Sequence, residues 1–338
     1  MAKSLDSGIV ELDSIDSKIL HQLDLNARMP ISLIAKRTSL SRMVVEYRIN
    51  KMLELGVIRA FATQIDPAKF GLSSWKVYVR LHNTTAELEN QIMDFLAANP
   101  QVWWVVKCYG QYNLLYSVVG ESYYEFYKSL IDFHNRFGEY ILEENINNHL
   151  EPEFSSRGYL SDENPVMVCK PFLVKPEKSD SDSIDFKILK VISVNARLSA
   201  VEIAKKTGLS PRVVDYRMKE LIKKKVIVYF RLVLDVNKIG RDYYKGLVYL
   251  KNTNSKNMER LIGHLKLNKE ITQWGKTVGP WQLEIESESR NFKEYNLTIE
   301  ALLNKFSDLI VRIDTILMYK EYNPEYNFLA YLEKTSQQ

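Results

Sequence analysis

Two cysteines in 338 residues, Cys108 and Cys169, exclude a disulfide-stapled framework and leave no pair at metal-ligand spacing. The five histidines (His21, His82, His134, His149, His264) are scattered with no i, i+4 pair, so no metal site is expected. Glycine and proline are few, 13 and 10, which rules out collagenous or low-complexity chains. No apolar run is long enough to cross a bilayer, and the opening MAKSLDSGIVELDS lacks the apolar core of a secretory signal. A reduced, cytoplasmic setting is therefore expected. Phosphate-cradling glycine loops, a nucleophile elbow and paired-carboxylate motifs are also missing, so no enzyme chemistry and no cofactor is expected.

What the chain has is a repeat. The stretch Ile31 to Ile58 recurs at an offset of 169 as Ala200 to Ile227, and from Ile15 to Gly71 24 of 57 positions are identical without a gap. Each copy reads as a helix (Asp13 to Asn26; Asp182 to Asn195), a short helix, a tight break, and a longer helix capped by serine. In the first copy the longer helix is expected to bury Val45, Ile49, Met52 and Leu53 on one stripe. Its other side carries Met43, Tyr47, Asn50 and Lys51, flanked by Arg42 and Arg48. Two helices across a tight turn, the second polar and basic outside, form the helix-turn-helix pattern, which reads DNA. Charge distribution agrees. Asn26 to Ala60 has net +5 and Asn195 to Arg231 net +7, whereas Leu72 to Leu150 has net −4, against +4 for the whole chain.

Beyond each helix-turn-helix comes a β-like run (Ile58 to Ile65; Ile227 to Leu234), and then the period changes. Ser74 to Leu81, Thr85 to Ala98, Val102 to Tyr109, Tyr112 to Gly120, Ser122 to Phe137 and Ile141 to His149 alternate in the order βαββαβ, a ferredoxin-like sandwich. The second copy runs from Tyr244 to Tyr319. The expected class is α+β in two tandem modules. Its units are helix-turn-helix domains at 12–66 and 182–235, sandwiches at 72–150 and 242–322, a linker at 151–181 with one crossing strand, and a C-terminal tail at 323–338 after a loose leader.

The runs IDSKIL, NARMPISLIAKRTSLS, RINKMLELGVI and IDPAKFG, matched in the second half by IDFKIL, NARLSAVEIAKKTGLS and RMKELIKKKVI, resemble the leucine-responsive regulatory protein/asparagine-synthetase activator (Lrp/AsnC) family of transcription regulators. The resemblance covers nearly the whole chain, twice. It implies double-stranded DNA as partner, sandwiches paired sheet face to sheet face into homo-oligomers, and an amino-acid effector in many members. Three departures stand out. Two modules lie in one chain, so the sandwiches are expected to pair within it. The family's Gly-X-Tyr-Asp turn is Gly110-Gln111-Tyr112-Asn113 here and Gly279-Pro280-Trp281-Gln282 in the second half, without the carboxylate that would hold an ammonium group. Gly56, a helix C-cap, is Lys225 in the second copy, which predicts a different helix end.

The candidate DNA-contacting residues are Arg42, Met43, Tyr47, Arg48, Asn50 and Lys51, with Arg212, Tyr216, Arg217 and Lys219 in the second copy. For Arg48 and Arg217 an ion pair with Asp16 and Asp185 is the competing structural role. Any small-molecule effector is expected near Gly110, Tyr112, Asn113, Gly279, Trp281 and Gln282, although aromatics alternating on strands more often pack sheets or interfaces. Two other functions remain open: a tetrapyrrole enzyme like the sirohaem decarboxylases, which also resemble this family, and an effector-binding scaffold without DNA.

Overall fold

A computed structural model of the chain describes residues 3–4, 8–322 and 328–335. Within the expected leader, Lys3–Ser4 (β1) pairs with Val10–Glu11 (β2), while residues 1–2 and 5–7 lie outside the described residues. Helix α1 (Ser14–Leu25) starts because the Asp13 carboxylate accepts from the Ile15 and Asp16 backbone N–H groups and Asp16 reaches back to Asp13, a capping box that satisfies orphan donors. Helix α2 (Ile31–Thr38) ends at Ser39 in the left-handed region, and α3 (Arg42–Glu54) begins where the Ser41 hydroxyl accepts from Val44. Strand β3 (Ile58–Ile65) follows.

The first sandwich is β4 (Ser73–Leu81), α4 (Ala86–Ala98), β5 (Val102–Gly110), β6 (Leu114–Gly120), α5 (Tyr123–Phe137) and β7 (Ile141–Ser155). Strand β7 runs well past the expected end at His149, so the connection between modules starts later than 151, and β8 (Met167–Cys169) pairs with its far end. The second module repeats the plan: α6 (Ser183–Val194), α7 (Ala200–Thr207), α8 (Pro211–Lys223), β9 (Ile227–Leu234), β10 (Asp242–Leu250), α9 (Ser255–Leu265), β11 (Ile271–Val278), β12 (Leu283–Ser289), α10 (Phe292–Lys305) and β13 (Ile310–Tyr322). The region expected as a tail contains α11 (Phe328–Thr335), whose Phe328, Leu329, Tyr331 and Leu332 join the apolar core of the second helix-turn-helix; the rest of it, residues 323–327 and 336–338, lies outside the described residues.

The two halves are joined twice. First, the strand after each helix-turn-helix pairs with the other copy's: β3 and β9 run antiparallel with Phe61 opposite Leu232. The exchange is reciprocal. Ala27 donates to the Phe230 carbonyl and Ala196 to the Phe61 carbonyl, at 2.9 and 2.7 Å. Leu232 and Leu234 complete the first helix-turn-helix core, and Ile65, Phe70 and Leu72 the second. Arg197 donates to the Ala27 carbonyl at 2.7 Å, and its counterpart Arg28 donates to the Ala196 carbonyl.

Second, the sandwich sheets are stitched at both edges. Each has the order expected of the ferredoxin-like plan, β5-β6-β4-β7 and β11-β12-β10-β13. Strand β13 pairs with β10 and then with β5, and β7 pairs with β4 and then with β11. Eight strands thus close into a barrel, with the helices outside and the two inner faces against each other.

Two local expectations need correction. Leu53 is 38% exposed, because at 100° per residue it sits at the margin of the stripe that Val45, Ile49 and Met52 define. Helices α3 and α8 also end alike, since Lys225 adopts the left-handed conformation (φ 59°) that Gly56 adopts in the first copy (φ 71°). A side chain there is disfavoured by roughly 1–2 kcal/mol. Replacing Lys225 with Gly should therefore raise unfolding free energy by ~0.5–1 kcal/mol once glycine's extra unfolded-state freedom is subtracted. Denaturant titration of the two proteins checks this, and a less stable variant would contradict it.

Candidate nucleic-acid interface and barrel interior

On α3, the buried stripe Val45, Ile49 and Met52 turns Arg42, Met43, Tyr47 and Asn50 to solvent, Met43 at 78% and Tyr47 at 52% exposure. On α8, Val214, Met218 and Leu221 do the same for Arg212, Tyr216 and Lys219. Lys51 stands half-exposed beside Glu54, at 3.7 Å. Two of the ten named residues turn away from this face. The Arg48 guanidinium lies 2.7 Å from Asp13 and 3.0 Å from Asp16, and Arg217 lies 2.9 Å from Asp182 and 3.4 Å from Asp185. Each arginine braces its reading helix on the capping box of the first helix, the structural role weighed for it above.

The residues named for an effector lie at the end of the barrel formed by the turns. Tyr112 and Trp281 are wholly buried and pack around Tyr78, with ring centroids 5.5 and 4.6 Å from it. Asn113 closes its turn on the Leu81 backbone, accepting at 2.7 Å and donating at 3.1 Å, and Gln282 accepts from Leu250 at 2.8 Å. Gly110 has φ 135°, and a Cβ there would meet the Thr315 carbonyl at 2.8 Å. Gly279 packs on Asn147.

The barrel interior also holds a charged ladder that the sequence reading missed. Glu284, Glu286 and Glu288 alternate along β12 and all point inward, each buried. Glu284 accepts from Lys76 at 2.8 Å and Lys245 at 3.1 Å, from the Trp281 indole at 3.2 Å, and from the Tyr78 hydroxyl. Glu286 takes Lys245 and the Tyr243 hydroxyl, and Glu288 takes Arg157 at 2.7 and 3.0 Å and Tyr159. Burial alone would raise these carboxyl pKa values. The facing cations outweigh it, holding Glu284 well below the usual range and Glu286 at about 2. His149 packs against Gly275 and accepts from Lys76 at 3.5 Å, so burial first, then the lysine charges, push it down to about 3. The signal was legible in LEIESES, where every second residue is Glu. It departs from its twin LLYSVVG, which puts Leu115, Ser117 and Val119 at the same places.

A family model for winged helix-turn-helix DNA-binding domains (HTH_24) matches residues 12–59 and again 181–228. A proline dehydrogenase transcriptional activator of Rhodobacter capsulatus is 33% identical over 121 residues, 35% of this chain and 77% of that protein. The chain belongs to the Lrp/AsnC family. A second family relative, the HTH-type transcriptional regulator FL11 of Pyrococcus horikoshii, is 31% identical over 109 residues, 32% of this chain and 71% of its own length. Such Lrp/AsnC relatives match about one module's length. A solved structure of the siroheme decarboxylase NirDL with an iron-uroporphyrin III analogue has the same fold across both modules, with a TM-score of 0.61 over 96% of this chain and all of that one, at 12% identity.

The ladder makes stability pH-dependent. His149 has a folded pKa below its ordinary 6.5, so the unfolded chain binds the extra proton. Its contribution is complete above pH 6.5 and declines on acidification, at up to about 1.4 kcal/mol per pH unit for one proton. The depressed Glu284 and Glu286 extend the loss as pH falls below their ordinary 4.5. Denaturant midpoints between pH 7.5 and 4.5 should fall in the wild type and change less in His149→Gln. Equal slopes would assign that proton to another group.

Proposed function

We infer that the chain is a non-enzymatic, sequence-specific regulator of transcription in which one polypeptide supplies both reading helices of a family dimer. What carries this reading is the duplicated exposed face of α3 and α8, on two helix-turn-helix units of net charge +5 and +7 that the β3–β9 ribbon ties together. We assign residues 12–66 and 182–235 to DNA, and 72–150 and 242–322 to pairing and oligomerisation, in the cytoplasm.

The two faces are not alike. Arg42, Met43, Glu46, Tyr47 and Asn50 are answered by Pro211, Arg212, Asp215, Tyr216 and Lys219. Arginine favours guanine through its two-pronged donors, whereas asparagine favours adenine. The preferred site is then two unlike half-sites roughly 10 bp or a multiple apart, the one under α8 richer in G·C. A second reading, tetrapyrrole chemistry, is favoured only by the two-module fold shared with the decarboxylase. The chain before Tyr112 offers Lys107, Cys108, Tyr109 and Gly110 and no histidine, and Lys107 is bound to Glu89 at 3.1 Å. Mixing the protein with haem should leave its Soret band unshifted; a shifted band would favour the enzyme reading.

Selection from a random DNA pool tests the regulator reading, and a perfect palindrome would mean that one copy stands idle. If each module neutralises about three to five phosphates, log affinity against log salt should have a slope roughly between −5 and −9. A slope near zero would give the basic faces another role. Arg212→Met should cost ~1–3 kcal/mol and relax selection in one half-site only. Equal loss in both would contradict one helix per half-site.

A further inference from the structure

Between the β3–β9 ribbon and the adjacent mouth of the barrel lies a cavity of about 870 Å³, its opening to solvent included. Its ribbon wall carries Gln64 and Arg231. Its barrel wall carries Lys76, His149, Gln273 and Glu286, and Trp103, Trp104, Phe154 and Phe172 give it an aromatic lining.

The cations on its walls are not all directly paired. Lys76 is matched by Glu284, and Glu286 by Lys245 and Tyr243. Glu321 accepts from the Trp104 indole at 2.7 Å and faces Arg59 at 3.4 Å. The half-buried Arg231 has no hydrogen bond or ion pair among the described residues, and its guanidinium lies over the Phe154 ring at 5.3 Å. Glu321 and Glu286 favour its charged form from a distance, but neither reaches the guanidinium, whose planar fork suits a carboxylate. Other donors are idle beside it. The Trp103 indole N–H is buried without a partner among the described residues, and the Gln64 and Gln273 amides make no side-chain hydrogen bond there. Phe154 and Phe172 stack at 6.2 Å and 10°, leaving an apolar, planar surface next to the free guanidinium fork.

We propose that this cavity binds a small monocarboxylate with an aromatic body, the carboxylate on Arg231 and the ring against Phe154, Phe172 and the tryptophans. An amino acid fits worse, because both carboxylates on the walls, Glu286 and Glu321, are already engaged and none is left for an ammonium group. Arg231 sits on β9, which follows directly from the reading helix α8, so the ligand bridges the DNA-reading half of the molecule to the barrel. That regulatory consequence rests on the regulator reading; the binding site does not.

The test uses the full chain with phenylpyruvate and indole-3-acetate as probes, read by tryptophan fluorescence and thermal shift, with phenylalanine and benzyl alcohol as comparators. Both acids should bind at least tenfold more tightly than either comparator, and Arg231→Gln should weaken them at least tenfold. Arg231→Gln gives up the contact with the Phe154 ring, so a cooperative melt of the unliganded variant in the same thermal-shift assay shows that lost binding does not reflect unfolding. A more conservative variant, Arg231→Lys, keeps the charge but not the fork and should retain part of the affinity. No binding at millimolar probe, equal binding of phenylalanine, or equal affinity in Arg231→Gln would each overturn the proposal. DNA affinity measured on the same protein separates the two readings. Probe binding without DNA binding refutes the regulator and keeps the site, and DNA binding without probe binding does the reverse.

Discussion

An open sheet edge presents unpaired N–H and C=O groups, and a four-stranded sandwich sheet has two such edges. Here β7 and β13 remove them. At 15 and 13 residues they are the longest strands described, and each outruns its own sheet by enough to pair with the other half. The wing strands obey the same constraint. Alone, β3 or β9 would be a single strand beside a small helical core; paired, they form a ribbon that also completes both cores. The modules are therefore bound through backbone hydrogen bonds at two levels.

Closing the barrel creates an interior that must be filled, and fusion in one chain lets it be filled unevenly. In a symmetric dimer the LEIESES strand would occur twice, placing four carboxylates at the level where two lysines, Lys76 and Lys245, now face Glu284 and Glu286. The tandem chain keeps acids on β12 and gives β6 Leu115, Ser117 and Val119 instead, so charge balances. The same freedom shows on the reading helices, where Met43 is answered by Arg212 and Asn50 by Lys219. Buried ion pairs are costly to break and contribute little net stability over apolar packing.

Much of this was readable from spacing alone. The first helices, Asp13 to Asn26 and Asp182 to Asn195, stand out by their apolar period, and the apolar stripe of α3 leaves Met43, Tyr47 and Asn50 outside. The period change after Gly71 announces a sandwich, and an offset of 169 announces the duplication. Such features depend on residues a few positions apart, whose relative directions are set by covalent geometry and the helical or strand repeat.

Tertiary structure decided which copy each strand pairs with. A wing strand or a sheet edge from one module is equally compatible, by local pattern, with its own module or its twin, and only the edges left open after folding settle the choice. Arg48 could face DNA or Asp16 until α1 and α3 were packed together. Alternation puts the glutamates of β12 on one face, but only the closed barrel makes that face an interior, and Arg231 lines a cavity only because the ribbon meets the barrel mouth. Strand alternation says which residues share a face but not what that face will meet, because burial and charge partners arise from segments more than a hundred residues apart.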